Sequence, residues 1–346
     1  MKFLQEILQQ SQAVLDTAAS LRSVQLRVGG QGRIVATGMG SSYFIGGAFA
    51  LFLEGKGVPA YCVNAGELLH YGQEALRNDT LLVAFSQSGE SYETVQLLKE
   101  LDLPKERVVA VTNEPDSSLA KLAGTVVLTK AGKEEMTSTK TFITAWMAAL
   151  ALADALSGAQ TSYDPEALAR GVEETLASRR QVELAADLIG EAEFLQFTAR
   201  GIDFAVAQQS ALMCNEALHM ASSALTGGDF RHGPLEMVGH GKTVVVISHS
   251  QSKTRAQSER LVSDVLRFGG NVILVTDKTP DHVGGDSESS HARPDRASVL
   301  QTAPCPAELF PVLSVLPLQL LIIEIASRRG IVPGDFSHGG KVTLSE

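Results

Sequence analysis

The chain has 346 residues, 44% of them hydrophobic and 20% charged, with a formal net charge of -10. That length accommodates two domains with substantial cores, and the composition excludes a disordered or disulfide-scaffolded chain. An acidic chain without a basic run argues against a nucleic-acid partner, while leaving room for a local pocket that takes a phosphorylated metabolite.

Taken in order, MKFLQEILQQSQ (1–12) interrupts its apolar residues with Gln and Glu at once, so no signal peptide is expected. RIVATGMGSS (33–42) predicts a strand that ends in Gly40, Ser41 and Ser42. LLVAFSQSGESYETVQLLKEL (81–101) predicts a strand, a serine-rich turn and an amphipathic helix. VVAVTN (108–113) predicts another strand. Thr137-Ser138-Thr139-Lys140 precedes an apolar helix, TFITAWMAALALADAL (141–156), and the polar stretch 157–174 links two halves. EFLQFTARG (193–201), TVVVISHSQSKTRAQSERLVSDVL (243–266) and VILVTD (272–277) repeat the strand and strand–turn–helix patterns. The polar run 277–296 reads as a long surface loop. LFPVLSVLPLQLLIIEIA (309–326) contains Ser, two Pro, Gln and Glu, and reads as a buried helix with an irregular start rather than a membrane span. Cys62, Cys214 and Cys305 are few and far apart, without metal-ligand spacing. This fits a reducing, cytoplasmic compartment, with neither metal nor cofactor expected.

Three landmarks recur at a near-constant offset. Gly40 and Gly201 are 161 positions apart, Ser86 and Ser248 are 162 apart, and Thr112 and Thr276 are 164 apart. Such spacing indicates duplication of one domain. Continuous apolar strands alternating with helices predict, in each half, an α/β unit whose parallel sheet is covered on both faces.

The strongest local signal is Ser86-Gln87-Ser88-Gly89-Glu90-Ser91, between a strand and a helix. Ligands of parallel α/β sheets bind at the carboxyl ends of strands. A helix start there offers free N–H groups and the positive end of a dipole. Serine hydroxyls add donors without bulk, and Gly89 allows a close backbone approach. This is phosphate-binding chemistry without a Walker lysine; any one of these serines could instead be a helix cap. Ser41, Ser42 and the Thr137–Lys140 cluster add two more hydroxyl-rich turns to the same half.

GMGSS, SQSGES, and TSTK followed by an aromatic resemble the sugar isomerase (SIS) domain family. NEALHMASSALTGGDFRHGPLEMV (215–238) is similar to the isomerase half of the glucosamine-6-phosphate synthases, and its GDFRHGPLE is close to the fructosamine-6-phosphate deglycases. The tail, from LPLQLL (316) to KVTLSE (346), resembles the synthase C-terminus. Only the first residues fall outside the likeness. It implies two tandem SIS domains, at 1–160 and 185–346, joined by a linker at 161–184. The first would bind a phosphorylated sugar through Ser41, Ser42, Ser86, Gln87, Ser88, Ser91 and Ser138. Glu216 stands at the place of the family's proton-transfer carboxylate, His232 at its ring-opening histidine and Lys341 at its Schiff-base lysine. Family members pair so that one subunit's histidine segment completes the other's site, which implies a homodimer.

The chemistry is reasonable on the residues themselves. Ring opening needs an acid/base near neutral pH, and a histidine serves. Proton transfer between C1 and C2 needs a carboxylate, and the apolar sequence around Glu216 would raise its pKa by desolvation. Condensation with a carbonyl needs a lysine. Against this, His232 before Gly-Pro could only shape a turn, Glu216 could pair with an arginine, and Lys341 could be a solvated charge. His219, three residues after Glu216 on the same expected helix, and His338 read as supporting groups.

Two departures stand out. Met213 holds the place of a synthase lysine one turn before the catalytic Glu, and the beginning Met1-Lys2-Phe3 leaves no expected room for a glutamine-hydrolysing domain. The second half replaces SQSGES by SHSQSK and GMGSS by ARGID, so one sugar-phosphate site per chain is expected. The reactions that fit are a deaminating isomerase, a deglycase and a simple aldose–ketose isomerase. A rival reading is a sugar-phosphate sensor, although no DNA-binding segment is expected in the short N-terminus. A nucleotide-binding protein is disfavoured by the lack of a glycine fingerprint.

Overall fold

The chain's unbroken runs of Val, Ile, Leu and Ala form strands whose side chains are buried on both faces. The computed structural model describes residues 2–22, 32–76, 79–279, 296–334, 338 and 340–343. Most of the polar run read as a surface loop, 280–295, lies outside the described residues. Two compact units are present: Gln9–Ala169 with Phe336–Glu346, and Met1–Leu8 with Arg170–Asp335.

In the first-named unit, α2 (Gln10–Leu21) precedes β1 (Arg33–Gly38), α3 (Ser41–Gly55), β2 (Ala60–Asn64) and a short α4 (Ala65–Glu67) that runs into a π turn at Leu68–Gly72. β3 (Thr80–Phe85), α5 (Tyr92–Glu100), β4 (Val108–Thr112), α6 (Ser118–Leu122), β5 (Thr125–Leu128) and α7 (Lys140–Ser157) complete it. The sheet is parallel throughout, in the order β2-β1-β3-β4-β5. Every residue of β3 and β4 is buried, as expected for a sheet covered on both sides. Leu82, Leu97, Leu98, Val108 and Leu119 form one core cluster. Elsewhere in the unit the buried rings of Phe52 and Trp146 meet edge-to-face at 5.4 Å.

The second-named unit begins with α1 (Lys2–Leu8) and resumes within α8 (Pro165–Leu176). α9 (Arg179–Ile189), β6 (Phe194–Ala199), α10 (Phe204–Leu218), β7 (Ala221–Thr226), α11 (Gly227–Arg231) and β8 (Thr243–Ile247) follow. α12 (Arg255–Arg267), β9 (Asn271–Thr276), β10 (Ala297–Gln301) and α13 (Phe310–Arg329) end it. Its parallel sheet runs β10-β9-β8-β6-β7. Matching β6 to β1, β7 to β2 and β8 to β3 gives the same order in both units, so the duplication read from the offsets is a duplication of topology. Residues 161–184, read as a linker, contain α8 and the first turns of α9.

Among the described residues one segment, Ala307–Arg329, is long and apolar enough to cross a membrane, but 83% of its apolar window is buried inside the structure. It is packed as a core helix, with Pro311 in the first turn, where no N–H is needed.

Candidate functional site

At the carboxyl edge of the β1–β5 sheet the strand ends and the start of α7 enclose a pocket. Its polar lining is Ser41, Ser42, Ser86, Gln87, Thr112, Thr129, Ser138 and Thr141, and its floor is Ile45, Phe85, Val111, Phe142 and Ala145. The enclosed part is about 20 Å³, room for a water molecule; the rest opens outward. The sheet order makes the crevice between β1 and β3 the topological switch point, where ligands of doubly wound sheets bind. Ser41 and Ser42 follow β1 there, and Ser86 and Gln87 follow β3. Five of the seven residues expected to hold phosphate thus line one pocket.

The other two, Ser88 and Ser91, are not among the lining residues and belong to the turn after β3. The Ser86 and Ser91 hydroxyls are 3.1 Å apart, and Ser86 Oγ accepts the Gly89 N–H. Ser91 is the N-cap residue of α5, yet its side chain caps nothing, so simple capping does not explain it. Ser88 Oγ accepts the Glu90 N–H at 3.1 Å, a local turn bond. Gly89 adopts φ +63°, and a Cβ there would come within 2.1 Å of Ser117 Oγ. Its small size makes room for Ser117, the cap residue of α6.

The third hydroxyl turn is organised around a carboxylate that the sequence did not single out. Glu134 has no exposed side-chain surface and pairs with Lys341 Nζ at 2.7 Å. Its Oε1 accepts the Thr139 N–H and hydroxyl, both at 2.9 Å, and the Thr141 N–H at 3.2 Å. Oε2 also takes a short bond from the Thr141 hydroxyl. Thr141 Oγ1 is 2.6 Å from Ser138 Oγ. Burial pushes the Glu134 carboxyl up, but the Lys341 charge and these hydrogen bonds outweigh it and hold it below the ordinary carboxylate range. The start of α7 is therefore already served by an internal anion. The tail that carries Lys341 is fastened to the same unit by the Tyr92 N–H, which donates to the Thr343 carbonyl at 3.1 Å.

The corresponding switch point of the other unit, between β6 and β8, is filled from within. Asp203 and His249 are buried there, and the His249 N–H donates to Asp203 Oδ2 at 3.4 Å. His249 Nδ1 accepts the Gln251 N–H, so the ring hydrogen lies on Nε2, which faces the Cys305 carbonyl at 3.0 Å and Asp277 Oδ2 at 3.2 Å. Asp277 also accepts the Ser250 N–H at 2.6 Å and hydroxyl at 2.7 Å. The turn that would face a phosphate instead binds the chain's own carboxylates. Burial, with Asp277 adding repulsion, pushes the Asp203 carboxyl up to about 7. The Ser248 hydroxyl, counterpart of Ser86, is buried with no hydrogen-bond partner. All three cysteines are free thiols pushed up to about 12 by burial.

Glu216 lies near the end of α10, half-buried. Its sequence neighbours Met213, Cys214, Ala217 and Leu218 are buried. Met213, at the family lysine's place, is fully buried. The helix stops at Leu218, because His219 takes a left-handed conformation, φ 50°, as the chain turns into β7. His219 is therefore not on the helix of Glu216 as expected. His232 is exposed at the end of α11, its N–H bonded to the Asp229 carbonyl at 3.0 Å. Arg200, at the end of β6, lies against Gly227 and Gly228; a Cβ on Gly227 would stand 3.0 Å from its Nε. His338 is exposed.

A model of the SIS domain matches residues 30–155 and again residues 188–327. The chain belongs to the SIS domain family. Among curated relatives, glutamine–fructose-6-phosphate aminotransferase (isomerizing) of Pyrobaculum aerophilum is 29% identical over 95% of this chain and 55% of its own length. The Clostridium perfringens protein of the same name is 30% identical over 78% of this chain and 44% of its own. The chain spans about half the length of these relatives. Among solved structures, the C-terminal domain of glucosamine-fructose-6-phosphate aminotransferase from Francisella tularensis superposes with a TM-score of 0.83 at 23% identity, covering 96% of this chain and 98% of that one. Glucosamine-6-phosphate deaminase from Thermotoga maritima gives a TM-score of 0.74 at 22% identity over 99% of both chains. These structural likenesses establish the fold.

Each match spans one sheet, so the two SIS units are the two halves of the repeat. The first SIS unit keeps its switch point open and hydroxyl-lined, and the second closes its own with Asp203 and Asp277. Glu134, Thr112, Thr129 and Thr141 are members of the first unit's site that the sequence reading missed. Threonines at the ends of β4 and β5 carried a faint signal for Thr112 and Thr129, Thr141 follows directly on the hydroxyl cluster before α7, and Glu134 carried no signal, since its partner lies 207 residues away.

Proposed function

We propose that the chain is a phosphosugar isomerase or deaminase acting on a 6-phosphorylated amino or keto sugar. The observation that carries this reading is the convergence of Ser41, Ser42, Ser86, Gln87 and Ser138 at the β1/β3 switch point of the first SIS unit. Small hydroxyls beside the start of α3 suit a phosphate, whose charge strengthens each hydrogen bond. In the same unit the Lys341 amine is linked to Ser138 through the Glu134 carboxylate and the Thr141 hydroxyl. Relatives of this fold are named for fructose 6-phosphate and glucosamine 6-phosphate, and an Escherichia coli structure with a TM-score of 0.76 for tagatose 6-phosphate.

In the proposed reaction His232 opens the sugar ring, Lys341 condenses with the ketose and Glu216 moves the proton between C1 and C2. None of these steps draws on a cofactor. The exposure of His232 suits a residue that serves the site of a second copy, in a homodimer. Ser88 and Ser91 hold the shape of the turn around Ser86.

Incubation with glucosamine 6-phosphate, a fructosamine 6-phosphate and glucose 6-phosphate, with assays for ammonia, amine and ketose, tests the reading. Turnover of one of the three is expected, and the product separates deaminase, deglycase and isomerase. Saturable binding of sugar phosphates without turnover of any would make the chain a sugar-phosphate-binding regulator instead.

A further inference from the structure

This inference rests on the reading of Lys341 as the amine that condenses with a ketose. We infer that Glu134 is the counter-ion of Lys341, fixing Nζ beside the hydroxyl pocket and remaining paired with its positive charge as the ammonium becomes an iminium.

The charge balance of the condensation calls for such a group. When an ammonium R–NH3+ condenses with a carbonyl C=O, nitrogen gains a C=N bond and two of its protons leave with the carbonyl oxygen as water. The remaining R–NH+=C carries the same single positive charge. One fixed carboxylate therefore neutralises the cation at both ends of the step, and no base has to be regenerated.

The geometry fits a counter-ion rather than a packing element. Glu134 has 0% side-chain exposure, whereas Lys341 keeps 21%. The cation can be reached from outside and its partner cannot. Glu134 is held in one orientation by Thr139 and Thr141 at the start of α7, whose dipole favours a carboxylate. The neighbouring charges are engaged elsewhere. Lys140 Nζ bonds Gln9 Oε1 and the Lys133 carbonyl, both at 2.7 Å, and Lys133 pairs with Glu135 at 2.5 Å. The carboxyl's position below the ordinary range agrees with a permanent anion. A buried ion pair contributes little net stability in general, so stability alone gives little reason to place one here. The same carboxylate is joined through Thr141 to Ser138 of the pocket, which ties the lysine's position to the surface that would hold the phosphate.

The test uses the full chain and fructose 6-phosphate as probe. Glu134→Gln keeps the length and one acceptor oxygen, removes the charge and puts an NH2 donor in place of the second acceptor; Glu134→Asp keeps the charge and both acceptors. Borohydride reduction in the presence of fructose 6-phosphate, followed by peptide mass analysis, measures the rate at which Lys341 is trapped, and calorimetry measures affinity. Trapping of the wild type is expected, with Glu134→Gln trapped about 10²-fold more slowly, the scale of removing one partner of a buried pair. Its affinity should change by less than about threefold, and Glu134→Asp should recover part of the rate. Equal trapping of Glu134→Gln and wild type would overturn the inference, because the charge would then be dispensable. A wild type that binds the probe and is never trapped would overturn the Schiff-base reading itself, and this inference with it. If Glu134→Gln does not fold, Thr141→Val, which removes one donor from the carboxylate, should slow trapping about tenfold; an unchanged rate would overturn the inference equally.

Discussion

In the second SIS unit the backbone N–H of His249 donates to Oδ2 of Asp203 at 3.4 Å, across the crevice where the first unit opens Ser42 and Ser86 to its pocket. One repeat has kept a ligand crevice and the other has filled it with a carboxylate. Phosphate in the second crevice would meet Asp203 and Asp277, and the Ser250 N–H that could serve it is already bonded to Asp277.

That filling makes stability depend on pH. Asp203 is 4% exposed and its carboxyl is pushed from 3.8 up to about 7, chiefly by burial. A carboxyl raised in the folded state holds a proton there that the unfolded chain has released. Stability from this group is therefore greatest below about pH 4 and is lost as pH rises towards 7, by on the order of 4 kcal/mol. Asp203→Asn keeps an acceptor for the His249 N–H and cannot ionise. Thermal melts should show the variant more stable than the wild type at pH 8 and the gain shrinking at pH 5. A gain that is the same at both values would contradict the assignment.

Gly89→Ala tests what the turn glycine does. The new Cβ would sit 2.1 Å from Ser117 Oγ and 2.4 Å from Ser117 Cβ, at φ +63°. Ser117 Oγ accepts the Ala120 N–H as the cap of α6. Backbone strain and a displaced cap together should cost about 2–3 kcal/mol in urea unfolding. A cost below about 0.5 kcal/mol would mean that the turn adapts without strain.

The strands legible in the sequence were β1, β3, β4, β6, β8 and β9, and the ones it concealed were β2, β5, β7 and β10. The concealed four are the edges of the two sheets. A strand flanked on both sides shows an unbroken apolar run, as in LLVAF. An edge strand such as Ala221–Thr226, exposed or half-buried along its length, shows neither a run nor a clean alternation. The hydroxyl pocket was legible because Ser41, Ser42 and Ser86 follow strand ends closely in the chain and Ser138 stands just before a helix start. Glu134 was not, because burial and a partner 207 residues distant define it, and neither is written locally.

Glu216→Gln and His232→Asn separate the two proton roles. Glu216→Gln should lower turnover about 10²-fold or more, the usual reach of a general base, with little change in sugar-phosphate affinity. The His232→Asn defect should shrink when an open-chain substrate analogue bypasses ring opening. In a homodimer that shares its sites, mixing the two inactive proteins should recover part of the activity. Normal turnover by Glu216→Gln would favour a binding regulator.

The central claim is that the first SIS unit recognises phosphate through its switch-point hydroxyls, and calorimetric titration of fructose 6-phosphate and of fructose against the wild type and the Ser42→Ala, Ser86→Ala double variant tests it most directly. Each hydrogen bond to a charged group is worth about 1.5–3 kcal/mol, so the double variant should lose about 10²-fold or more in affinity for the phosphorylated sugar and almost nothing for the free sugar. Loss of equal size for both ligands, or an unchanged affinity for fructose 6-phosphate, would contradict it.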